Sequence, residues 1–164
     1  MTTTISTVAT PATFVSGFGK MLYGDIEADR FADRLGTTIN HPAFILGHLA
    51  YYAGVCVQLL GGDIELSEEE ATLYQHGAEC TDDPERYLEK DAAISHYEER
   101  MQFAADFVAQ CSAEVLNTTP DENLFSGRFE TLEQIAAFML IGHPMFHFGQ
   151  ISAWRRVAGM SPAG

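Results

Sequence analysis

Apolar residues recur along this chain at steps of three and four, the period of a buried helix face, in four long stretches. The first is predicted from about Pro11 to Glu27. Pro11 suits an opening turn, and Phe14, Phe18, Met21 and Leu22 fall at helical spacing. A link through Phe31 and Leu35 follows, with Gly36 as a stop. The second stretch, AFILGHLAYYAGVCVQLL, is predicted to start at an Asn40 N-cap, with Pro42 in its first turn, and to stop at Gly61–Gly62. It is apolar nearly all round, which places it at the centre of a bundle or against a second subunit.

SEEE, from Ser67 to Glu70, reads as the capping box of a short helix that Gly77 ends. Asp83–Pro84 is a start signal for the third long helix, which reaches about Leu116 with a break near Asp91. Its inner stripe is Ile94, Tyr97, Met101, Ala104, Ala105 and Val108. NTTPDENLFSGRFE, residues 117–130, is a loop rich in turn formers. Thr131 then caps the fourth helix, with Gln134 as its partner, and the helix ends near Gly159 with Pro162 beyond. Arg155 and Arg156 in its last turns favour the negative end of the helix dipole. No strand pattern bounded by hairpin turns and no internal repeat is present. The fold class is therefore all-α. The expected architecture is a four-helix bundle with a long crossover and a short extra helix, one domain over residues 1–164.

The fourth helix contains GHPMFHFGQ, residues 142–150. His143 and His147 are four apart, so both rings project from one helix face. Neutral imidazole ligates several divalent metals, and one ion would satisfy two buried rings at once. Ordinary core histidines are the alternative. A third candidate, His48, sits in LGHLA in the middle of the apolar second helix. Bundle cores are where helical proteins build metal sites. Three imidazoles would leave coordination positions open for water, substrate or a thiolate. Pro144 removes a hydrogen bond to the Leu140 carbonyl, giving either a tolerated kink or one that aims His143. Gln150 is either a partner that orients an imidazole or a polar residue at a helix end. Gly47 and Gly149 adjoin the candidates and are expected to allow close helix approach. His41, His76 and His96 are not expected to bind metal; His96 is expected to pair with Glu99 and Arg100.

The formal charge is −14, and residues 63–133 hold 19 of the 23 acidic groups. Such a surface repels phosphate, so neither nucleic acid nor an anionic membrane is an expected partner. No run of 18 uncharged apolar residues suggests a membrane span. No lysine or arginine precedes the weak apolar part of MTTTISTVATPATFVSG, which argues against a secretory signal. Cys56, Cys80 and Cys111 are odd in number and form no CxxC, so a reducing cytoplasm is the expected location.

The segments INHPAFILGHLAYYAG and TLEQIAAFMLIGHPMFHFGQISAWRRVAGM resemble the DinB-like superfamily of metal-binding four-helix bundles. The resemblance covers most of the chain, and GHLA and HxxxHxGQI are its most specific parts. It implies a divalent metal, zinc or nickel, on His48, His143 and His147. It further implies a thiol-dependent transferase acting on a small molecule, with a low-molecular-weight thiol as cosubstrate, while the open three-histidine site also allows hydrolysis of a small electrophile. Where many members read HHRGQ, this chain has Phe146 and Phe148, so a charged group for a polar cosubstrate is missing. The alternative expectation is a non-catalytic, metal-binding or stress-associated homodimer.

Overall fold

Seven helices follow one another in the computed structural model, which describes residues 7–121, 125 and 127–163. They are α1 (Ala9–Tyr23), α2 (Pro42–Leu59), α3 (Glu68–Tyr74), α4 (Lys90–Gln110), α5 (Ala113–Leu116), α6 (Leu132–Ala137) and α7 (His143–Val157). The described residues contain no strand. The four long helices pack in a closed cycle, α1 on α4, α4 on α2, α2 on α7 and α7 on α1. This is the all-α bundle that the apolar periodicity predicts. The short α3 leans on α2 and begins at a complete capping box between Ser67 and Glu70.

Burial explains why α2 holds the centre. From Pro42 to Ala50 every residue is buried, and the helix packs on α3, α4, α6 and α7. By length and composition α2 is apolar enough to cross a membrane, but here those faces are covered by the rest of the chain. Its N-cap is His41, one residue beyond the expected Asn40. The His41 Nδ1 accepts the Phe44 N–H at 3.1 Å, and the Nε2–H donates to the Thr81 carbonyl at 3.1 Å. Asn40 turns away and donates from Nδ2 to Gln150 Oε1 at 3.5 Å.

Two further expectations shift. In α1 the buried face is Ala12, Val15, Gly19 and Tyr23, while Phe14 is 72% exposed and Met21 is also exposed. Small residues face inward because α7 comes close, with the Phe148 ring seated where a Cβ at Gly19 would lie. The third long helix also starts later than Asp83–Pro84 and ends earlier than Leu116. Pro84–Arg86 forms a 3-10 turn capped by the Asp83 side chain, and α4 begins at Lys90. At its other end the Ser112 hydroxyl accepts the Val115 N–H at 3.2 Å and starts α5 afresh. The predicted α4 stripe is buried except for Ile94, which is only partly covered.

α6 and α7 are one continuous helix interrupted by a π turn, Phe138–Gly142. The flanking residues keep right-handed helical angles, and the His143 N–H reaches back five residues to the Phe138 carbonyl. The irregularity attributed in sequence to Pro144 thus takes the form of a widened turn just before it. Arg155 departs from its expected role. It is buried, pairs with Asp25 and donates to the Leu22 carbonyl at 2.9 Å, tying α7 to the end of α1.

Candidate metal centre

The sequence places His48 near the middle of α2 and His143 and His147 on adjacent turns of α7. Packing of these two helices brings all three together. The Nε2 atoms of His48 and His143 lie 3.0 Å apart, as do those of His147 and His143. His48 and His147 are each only 8% exposed, and His143 is half-buried. Metal–nitrogen bonds of about 2.0–2.1 Å in a tetrahedral set hold neighbouring ligand atoms roughly 3.3–3.4 Å apart; two of the three pairs here lie at 3.0 Å, and all three ligand atoms lie within 4.8 Å of one another.

Hydrogen bonds at the far side of two rings fix which nitrogen is free. His48 Nδ1 lies 2.7 Å from the Tyr74 carbonyl oxygen, and His147 Nδ1 lies 3.1 Å from Gln150 Oε1. An oxygen acceptor at Nδ1 requires the proton there, so both Nε2 lone pairs point into the cluster. Asn40 in turn donates to Gln150, which holds its carboxamide oxygen toward His147. Gln150 is therefore an orienting partner of an imidazole. His143 Nδ1 is buried and has no partner among the described residues.

Electrostatics favour the same protonation state. Burial lowers the His48 pKa from 6.5 to about 4, with His147 nearby adding to the effect. Burial and the two neighbouring rings lower His143 to about 3. His147 is lowered by burial, opposed by its bond to Gln150. Neutral imidazoles with inward lone pairs are the form that ligates a divalent ion. Without an ion, three nitrogens face each other with at most one proton among them, on His143. The donor set therefore fits a metal.

A cavity of about 550 Å³ opens onto the cluster. Aromatic rings form much of its wall. Phe138 stacks on His143 at 5.8 Å across the π turn, and Tyr52 stands edge-on to His143 at 5.3 Å. Phe44 stacks on His48 at 6.1 Å, and Phe146 meets His147 edge-on at 5.2 Å. Phe146 is 67% exposed and also lines the cavity. Phe148 is instead a core residue, packed against Tyr23 and Tyr97 at 6.2 Å. An arginine at that position would point into the core rather than the cavity.

The other sequence candidates separate cleanly. His41 caps α2. His96 pairs with Glu70 of α3 at 3.3 Å, rather than with Glu99 and Arg100. His76 lines the cavity but lies outside the three-histidine group, and its backbone N–H donates to the Tyr52 hydroxyl at 2.9 Å. Gly47 does permit close approach, since a Cβ there would run into the Tyr74 ring. Gly149 faces open space. The Tyr74 carbonyl, Tyr52, Asn40 and Arg128 were not legible as parts of the site. A backbone acceptor has no sequence signature, Arg128 comes from a distant segment, and Asn40 and Tyr52, though near His48 in sequence, reach the site only through contacts with α7 and the 75–78 segment.

No family model, curated protein or solved structure matches this chain.

Proposed function

We propose that the protein binds one divalent metal ion, zinc or nickel, on His48, His143 and His147. On this reading it acts on a small molecule as a thiol-dependent transferase, as its resemblance to DinB-like proteins implies, or as a hydrolase, as the open three-histidine site allows. The observation that carries the reading is the convergence of three neutral Nε2 atoms at the wall of an open cavity. A bound ion would act there as a Lewis acid and lower the pKa of a thiol or water in an open position. The chain itself supplies orientation, through the Tyr74 carbonyl and Gln150, and a largely aromatic wall. None of the three cysteines lines the cavity, and burial pushes the Cys56 thiol up to about 12. A thiol used in turnover would therefore come from a separate small molecule. Small-molecule access favours catalysis over a closed structural site.

The test is metal content by elemental analysis of native protein and of His147→Ala, purified without added metal or a histidine tag. Close to one metal per chain, lost in the variant, supports the reading and leads to a thiol-dependent turnover screen. No metal in either protein overturns it. A second reading, a non-catalytic homodimer, is favoured by Phe14, Met21 and Phe103, which stay exposed on α1 and α4. Sedimentation that finds only monomer would remove it.

A further inference from the structure

The cavity is an exception to the charge of the protein. The chain carries 23 acidic residues, yet among the described residues no aspartate or glutamate lines this space. Among the described residues its only charged lining side chain is Arg128. The guanidinium has no carboxylate partner among the described residues, a state it shares with Arg30, Arg34, Arg86 and Arg156, but of these it alone lines the histidine cavity. An unpaired arginine at a cavity where no acid is found among the described residues is available for an anion.

Aromatic packing holds Arg128 near the histidines. Its backbone N–H donates to the Phe125 carbonyl at 2.9 Å, closing a turn. The buried Phe125 ring packs on Phe138 at 5.7 Å, and Phe138 stacks on His143. Two ring contacts thus link the turn that carries Arg128 to the metal centre. The three imidazoles are neutral, so a divalent ion bound by them keeps its full charge. Cation and guanidinium would then face one cavity with an aromatic wall between them.

From this the geometry points to the ligand class: a small organic anion with an apolar or aromatic body. Arg128 holds its carboxylate, or an anionic group of similar shape. Phe138 and Phe146 cover its body, and its other end faces the histidine cluster. This deepens the proposed function and rests on the metal reading only for the chemistry at that far end. Arg128 is a binding and specificity residue, and no covalent step is assigned to it.

Calorimetric titration with benzoate and its neutral counterpart benzyl alcohol tests this. Wild type, Arg128→Gln and Arg128→Lys are each titrated zinc-loaded and metal-free, and zinc per chain is measured on the same samples. Arg128 is exposed, so the variants are expected to fold and to keep their zinc. The expected result is about tenfold weaker benzoate binding in Arg128→Gln, partial recovery in Arg128→Lys, and unchanged benzyl alcohol binding. Equal benzoate binding in wild type and Arg128→Gln, with one zinc per chain in both, overturns the anion assignment and leaves the metal reading standing. Failure to bind zinc defeats the metal reading. The metal-free titrations then decide the anion site alone, where dependence on Arg128 supports it and independence overturns it.

Discussion

His48 and His143 lie 95 positions apart in sequence, yet their Nε2 atoms approach to 3.0 Å. Two neutral imidazoles meeting nitrogen to nitrogen can share one hydrogen bond at most. The third ring, His147, comes equally close to His143. A cation would resolve all three lone pairs at once and so make the polar cluster tolerable in an apolar interior.

Gln150 should matter more for metal affinity than for folding. It accepts the His147 Nδ1 proton and is itself held by Asn40. Gln150→Ala is expected to weaken metal binding by about 10–100-fold, the usual cost of losing an orienting partner. Competition with a chromophoric chelator measures this. Unchanged affinity would show that the carboxamide does not orient the ring.

His41 makes a different prediction, because both of its nitrogens serve the backbone. His41→Ala removes the α2 cap and leaves the Thr81 carbonyl without its donor. The expected loss of stability is about 2–3 kcal/mol. His41→Asn keeps a capping side chain and should recover about 1 kcal/mol of it. Urea denaturation of the metal-free proteins distinguishes the two variants.

Acid should unfold the metal-free protein early. Burial first, with neighbouring rings adding at His48 and His143, lowers His41 and His48 from 6.5 to about 4 and His143 to about 3. As pH falls below 6.5 the unfolded chain takes up protons that the folded chain refuses. Stability from these groups is therefore full above pH 6.5 and declines progressively toward pH 3–4. Bound metal should dissociate over the same acid range, because its ligands must stay unprotonated. Chemical denaturation at a series of pH values reads the first effect, and metal retention after dialysis reads the second. A stability profile that stays flat from pH 7 to pH 4 would contradict the burial of these rings.

Gly47 and Gly149 make a matched pair. Each adjoins a histidine of the cluster or its orienting partner, yet only Gly47 lies against another side chain, the Tyr74 ring. Gly47→Ala is expected to cost about 1–3 kcal/mol through overpacking. Gly149→Ala should stabilise α7 by about 0.5–1 kcal/mol. Thermal melts of the two variants should shift in opposite directions.

The legible parts of the fold share a physical cause. The long apolar run of α2, the Ser67 capping box and the i, i+4 spacing of His143 and His147 are local, so neighbouring residues specify them. His48 was recognisable because a polar ring in an apolar helix must find a partner. The misplaced parts depended on distant segments. The inner face of α1 follows from Phe148 sitting on Gly19, and the α2 cap depends on Thr81 pairing with His41. The late start of α4 was also missed, because Asp83–Pro84 begins a short turn as readily as a long helix.

The π turn has a consequence for how this chain should be compared with others. Between Ala137 and His143 it winds about 4.4 residues per turn instead of 3.6, which accommodates one extra residue. Leu132 and Ile135 before it, and His147 and Ile151 after it, still face the interior together. A regular α-helix of the same length would swing everything after Gly142 by about 100° and carry both imidazoles off the cavity. A regular helix one residue shorter would restore their direction. A related chain without the π turn would therefore need one residue fewer between the Thr131 cap and the HxxxH pair, and aligning it without a one-residue gap at 138–142 would pair the wrong positions across the site.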